Sequence, residues 1–107
     1  MVIQVEFTGA AKEIVGRREV SLTLPETAIY RDVIRNLAQM YPGLVGMIIA
    51  ADRSSLLSAM IFDRNGGEAI LPGMLEQSPQ DGDRLMLLEQ SPQDGDRLML
   101  LYFIVGG

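Results

Sequence analysis

The chain contains no cysteine and no histidine. Without cysteine there is no disulfide framework and no thiolate nucleophile, and without histidine there is no imidazole base. Together the two absences remove nearly all zinc and transition-metal sites. Carboxylates remain, but no motif arranges them for acid–base work, and the sequence offers no catalytic residue. A self-contained enzyme is therefore not expected. Lysine is almost missing too: Lys12 is the single one. The net charge is −5, and positive charge is not clustered as a nucleic-acid surface requires. The opening "MVIQVEFTG" lacks the basic start of a secretory signal. The longest apolar run, Leu98 to Val105, falls well short of the roughly 20 residues of a membrane helix. The expectation is a cytoplasmic protein with no nucleic-acid or membrane partner.

What is present begins with a duplication. Residues 75–87, "LEQSPQDGDRLML", recur unchanged as residues 88–100. Array repeats diverge and are usually longer, so a perfect pair reads as a recent tandem duplication or an artificially introduced feature rather than a solenoid. One unit carries one Glu, two Asp and one Arg, so a chain without it would have a net charge of −3. With 107 residues, 48% of them hydrophobic, the chain reads as one domain spanning 1–107 with one core.

Ile3, Val5 and Phe7 alternate with Gln4, Glu6 and Thr8, which predicts a strand with one buried face. Gly9 to Gly16 reads as a connection with a helical turn at "AAKEIV". Val20, Leu22 and Leu24 predict a second strand, antiparallel to the first. Tyr30, Val33, Ile34, Leu37, Ala38 and Tyr41 form one helical stripe, with Thr27 as N-cap and Asp32 near the positive end of the dipole. Pro42-Gly43 stops that helix. "SAMIFD" predicts a buried third strand, Asn65-Gly66 a hairpin turn with positive φ, and "EAIL" a short fourth strand. "SPQDGD" is a turn. Its Asp-Gly-Asp lacks the spaced oxygen ligands and distant glutamate of a calcium loop, so no metal site is expected. "RLMLLYFI" is the last strand, apolar on both faces and hence central.

Strand, strand, helix, strand, short strand, strand is the order of an α+β, β-grasp (ubiquitin-like) domain: a mixed sheet packed on one main helix, first and last strands parallel in the middle. Both copies of the repeat offer "RLMLL" to that last strand. The second continues into Tyr102, Phe103 and Ile104, the first into Glu89, Gln90 and Ser91. Burying even one large apolar side chain is worth ~1.5–3 kcal/mol, so the second copy is expected in the sheet. The first copy then lengthens the loop before the strand and leaves its leucines open to self-association.

The chain closes on Gly106-Gly107. A carboxylate must be activated before it can acylate anything, usually as an acyl-adenylate. Two glycines place no side chain in the way of a narrow active-site channel. Here the sequence resembles a family. "AAKEIVGRREVSLTL", "NLAQMYPGL", "NGGEAILPGM" and "DGDRLMLLYFIVGG" are similar to MoaD, the small subunit of molybdopterin synthase, and to the small archaeal ubiquitin-like modifiers. The resemblance implies a sulfur carrier. Gly107 would be adenylated by a ubiquitin-activating-type enzyme and converted to a thiocarboxylate, with Gly106 as spacer. It would pass its sulfur to the large synthase subunit for the molybdenum cofactor. Tyr102, Phe103, Ile104 and Val105 would line the partner contact. The carrier would bind no cofactor of its own, and the activating partner would use ATP. The alternative the family implies is a protein modifier joined to target lysines through the same glycine. If it formed chains on itself, only Lys12 or the N-terminus could receive it. The family often has a proline pair where Tyr102 and Phe103 stand here.

Overall fold

The computed structural model describes residues 1–89. Five strands form one sheet: β1 (Val2–Phe7), β2 (Glu19–Thr23), β3 (Ala59–Asp63), β4 (Glu68–Ile70) and β5 (Arg84–Glu89). Their order is β2-β1-β5-β3-β4, with β5 parallel to β1 and every other neighbouring pair antiparallel. This is the expected β-grasp sheet. A short helix, α1 (Gly9–Val15), follows β1, and the main helix, α2 (Tyr30–Met40), packs on one face.

The alternation in β1 and β2 does what period two requires. Ile3, Val5, Phe7, Val20 and Leu22 point to the helix side and are buried there with Val33, Ile34, Leu37 and Ala38 of α2. Tyr41 lies just past the helix and meets Phe7 edge-on, ring centroids 5.9 Å apart. The stretch after Pro42-Gly43 is irregular, yet it sends Leu44, Ile48 and Ile49 into the same core.

Two local expectations need correction. The N-cap of α2 is Ile29, not Thr27. The capping oxygen comes from inside the helix, where Asp32 Oδ2 accepts the Ile29 N–H at 3.0 Å. The next two amides, of Tyr30 and Arg31, donate to the carbonyls of Gln77 and Leu75. Between β3 and β4 the positive φ falls at Gly67 (66°), not at Asn65-Gly66. Asp63 Oδ1 accepts from the backbone N–H of both Asn65 and Gly66, which shapes the turn in their place.

The larger correction concerns the duplication. The strand between β1 and β3 is made by the first copy, not the second: Val5 lies opposite Leu85, and Ile61 opposite Leu87. The loop before this strand is therefore not lengthened. Burial does not favour the second copy, because within β5 the copies differ at one position only. Glu89, which takes the place proposed for Tyr102, lies at the end of the strand and is exposed, so a large apolar side chain there has little to bury. The first copy also closes the shorter loop. Its turn is tied down at once: Asp81 Oδ1 accepts the Val2 N–H at 2.7 Å and Asp83 Oδ2 accepts the Gln80 N–H at 2.8 Å. Gly82 supplies the positive φ of 85°. The Asp-Gly-Asp segment is thus a structural turn.

Candidate functional site

The residues to which sequence assigns the chemistry, Gly106 and Gly107, and those assigned to the partner contact, Tyr102, Phe103, Ile104 and Val105, lie outside the described residues. What the structure shows is the strand that precedes them in the chain. With the first copy in the sheet, 18 residues follow Glu89 instead of the five that would follow Tyr102.

The end of β5 is held in a corner. Thr8 Oγ1 donates to the Leu87 carbonyl at 2.9 Å, and the Ala10 N–H donates to Glu89 Oε2 at 3.3 Å. Gly9 makes this approach possible, since a Cβ there would stand 2.6 Å from that carboxylate oxygen. On the other side Glu89 is registered against Ala59, the first residue of β3.

Beside this exit, the sheet face turned away from α2 is divided in two. One half is apolar: Met60, Phe62 and Leu88 are buried, with Ala69 and Met86 packed against them. Sequence reasoning read "MIF" only as a buried strand. The signal for this face was there, because three successive apolar residues cannot all point one way. The other half is charged. Arg64 Nη1 donates to both carboxylate oxygens of Glu6 at 3.0 Å, and Arg84 lies between Glu6 (3.5 Å) and Glu19 (3.7 Å). Both arginines are about half exposed, so solvent screens these pairs and each contributes little stability.

Neither half assembles a catalytic constellation. Among the described residues no group of three carboxylates could hold a metal ion. Near the start of β3, Leu56, Ala59, Ile70 and Leu75 line an apolar pocket of about 160 Å³ whose hydroxyl is that of Ser55. That hydroxyl donates to Asp52. The backbone N–H of Ser54 and the hydroxyl of Ser55 hold the Asp52 carboxyl below its usual pKa, which makes it a poorer base. With no histidine in the chain, no imidazole is there to relay a proton from this serine. Lys12, the single lysine of the chain, is exposed on α1.

Tyr30 belongs to the frame rather than to a binding site. Burial first, then the carboxylates of Asp63, Asp83 and Glu68, push its phenol up to about 12. Between pH 10 and 12 the unfolded chain loses this proton while the folded chain keeps it, so stability falls as pH rises through that window. Tyr30→Phe removes the contribution. Denaturant melts should show the parent losing about 2 kcal/mol more than the variant across that interval. Parallel curves for the two proteins would contradict this.

No family model matches the chain, and no curated protein does. Solved structures do. The crystal structure of SAMP1 from Haloferax volcanii is similar with a TM-score of 0.72 at 20% identity, covering 87% of this chain and 99% of that one. A putative molybdopterin converting factor, subunit 1, from Pyrococcus furiosus gives 0.67 at 16% identity, covering 84% and 98%. The small archaeal modifier protein 1 from Methanosarcina acetivorans gives 0.66 at 24% identity, covering 86% and 95%. Among the described residues no helix is long and apolar enough to cross a membrane. Strand order, the single main helix and these neighbours together establish the ubiquitin-like β-grasp fold, the fold shared by the small archaeal modifiers and the molybdopterin converting factor subunit.

Proposed function

We propose that this protein is a ubiquitin-like sulfur carrier that works through Gly107. The observation that carries the reading is topological. The central strand β5 runs parallel to β1 and ends at Glu89, with the C-terminal segment still to come in the sequence. That segment ends in an apolar stretch and Gly106-Gly107, and the fold is shared with a small archaeal modifier protein and a putative molybdopterin converting factor subunit. A ubiquitin-activating-type enzyme would join the Gly107 carboxylate to AMP, releasing pyrophosphate from ATP. Sulfide-level sulfur (HS−) supplied by a donor then attacks the acyl carbon, the bond from that carbon to the AMP phosphate oxygen breaks, and AMP leaves behind a thiocarboxylate. The large molybdopterin synthase subunit is the acceptor that fits the resemblance best. The protein itself contributes a presented carboxylate and a docking surface, so it acts as a carrier or small subunit rather than as a catalyst. It needs no cofactor of its own, since the ATP is consumed by the partner. A cytoplasmic location accords with such partners.

The second reading, a modifier joined to target lysines, has its own support in the neighbours named as small archaeal modifier proteins. Both share the adenylate and diverge at the nucleophile. Intact mass after incubation with the activating enzyme, ATP and a sulfur donor separates them. One oxygen replaced by sulfur supports the carrier; adducts on other proteins support the modifier. An unchanged mass with no adducts defeats both.

The partner contact makes a further prediction. Phe103→Ala should weaken binding to the activating enzyme about tenfold or more, as loss of an aromatic anchor does, while the melting temperature stays close to the parent's. A variant that melts early and binds normally would contradict the assignment of Phe103.

A further inference from the structure

The slot between β1 and β3 is filled by Arg84–Glu89, and the segment from Leu75 onward ties it in place. Some of these ties use main-chain atoms that any copy supplies. The Gln77 and Leu75 carbonyls accept the first amides of α2, the Asp83 carbonyl accepts the Gln4 N–H, and Gly82 N–H donates to the Val2 carbonyl. The rest use side chains. Leu75 is buried in the core, Glu76 pairs with Arg31 at 2.6 Å, and Asp81 and Asp83 hold the turn. Leu85 and Leu87 fill the space under α2. Every one of these residues recurs thirteen positions later, from Leu88 to Leu100, and Leu101 repeats Leu88.

We propose that residues 88–101 are a second competent occupant of this slot, and that the chain exchanges within one molecule between two registers thirteen residues apart. The contacts distinguishing the registers are few. The first has Glu89 beside the Ala10 N–H, where the second would have Tyr102. It also keeps the Leu75 and Gln77 amides on the carbonyls of Pro72 and Met74. The second doubles the loop after Ile70, which disfavours it by only about threefold. Exchange changes the length of chain beyond the sheet from 18 residues to five, and so sets how far Gly107 can reach. The inference rests on the contacts of the first copy and does not depend on the sulfur-carrier reading.

The test is to spoil one occupant in the full chain. Leu85 and Leu87 are 1% and 2% exposed, so Leu85→Asp with Leu87→Asp would unfold a domain that had no substitute. Here that double variant is expected to keep its circular dichroism spectrum and a cooperative melt independent of protein concentration, with slow amide exchange moved to Leu98 and Leu100. Leu98→Asp with Leu100→Asp should leave the melt unchanged, and all four substitutions together should abolish it. An unfolded first variant, one that folds only as a dimer at raised concentration, or a folded four-site variant would each overturn the proposal.

Discussion

Removing Gly107, or capping it with a C-terminal tag, is expected to abolish ATP–pyrophosphate exchange by the activating enzyme without changing the melt of the protein. The loss should be complete rather than graded, because in the proposed reaction the Gly107 carboxylate oxygen attacks the α-phosphorus of ATP, and either change moves the terminal carboxylate: to Gly106, one residue short, or to the end of the tag. The fold should not notice. Among the described residues, 1–89, there is a five-stranded sheet with α2 packed on it through a shared core, and none of it uses Gly107. Exchange at the parent rate by a capped chain would remove the terminal carboxylate from the mechanism.

Leu37→Ala is the substitution within α2 expected to cost most. The side chain is 1% exposed and points from the middle of the helix into the core shared with Ile3, Val5, Leu85 and Leu87. Truncation removes apolar contact and leaves a cavity that rigid neighbours on the sheet cannot close. The expected loss is about 2–5 kcal/mol, read from urea melts. Met40→Ala, one turn on but 46% exposed, serves as the control and should stay within about 0.5 kcal/mol of the parent. Equal losses at the two positions would show that α2 does not pack as described.

The sequence showed these elements to different degrees, and the differences have physical causes. Ile3, Val5 and Phe7 could be placed on one face because alternation is a property of the strand alone. The stripe from Tyr30 to Ala38 is as local. The start of α2 was misplaced by two residues because its amides are satisfied from elsewhere, by Asp32 within the helix and by the carbonyls of Leu75 and Gln77. The choice between repeat copies was not local at all. Identical residues carry identical propensity, so only loop length and the end of the strand distinguish them, and position 89 proved too exposed for its side chain to decide. The apolar half of the sheet face turned away from α2 was legible in "MIF" and in the unbroken "RLMLL", which together give Met60, Phe62, Met86 and Leu88. The glycine pair was read from chemistry rather than from folding. No packing rule points to it, and it lies outside the described residues.

The most direct test of the central claim is to locate the sulfur. Full-length protein, recovered from cells or from the reconstituted reaction, can be cleaved and its C-terminal peptide fragmented in a mass spectrometer. The carrier reading predicts one sulfur in place of one oxygen on Gly107 itself, and no such change in a chain lacking that residue. A peptide that always carries an ordinary carboxylate, or a Gly107 found only in amide linkage to lysines of other proteins, would contradict it.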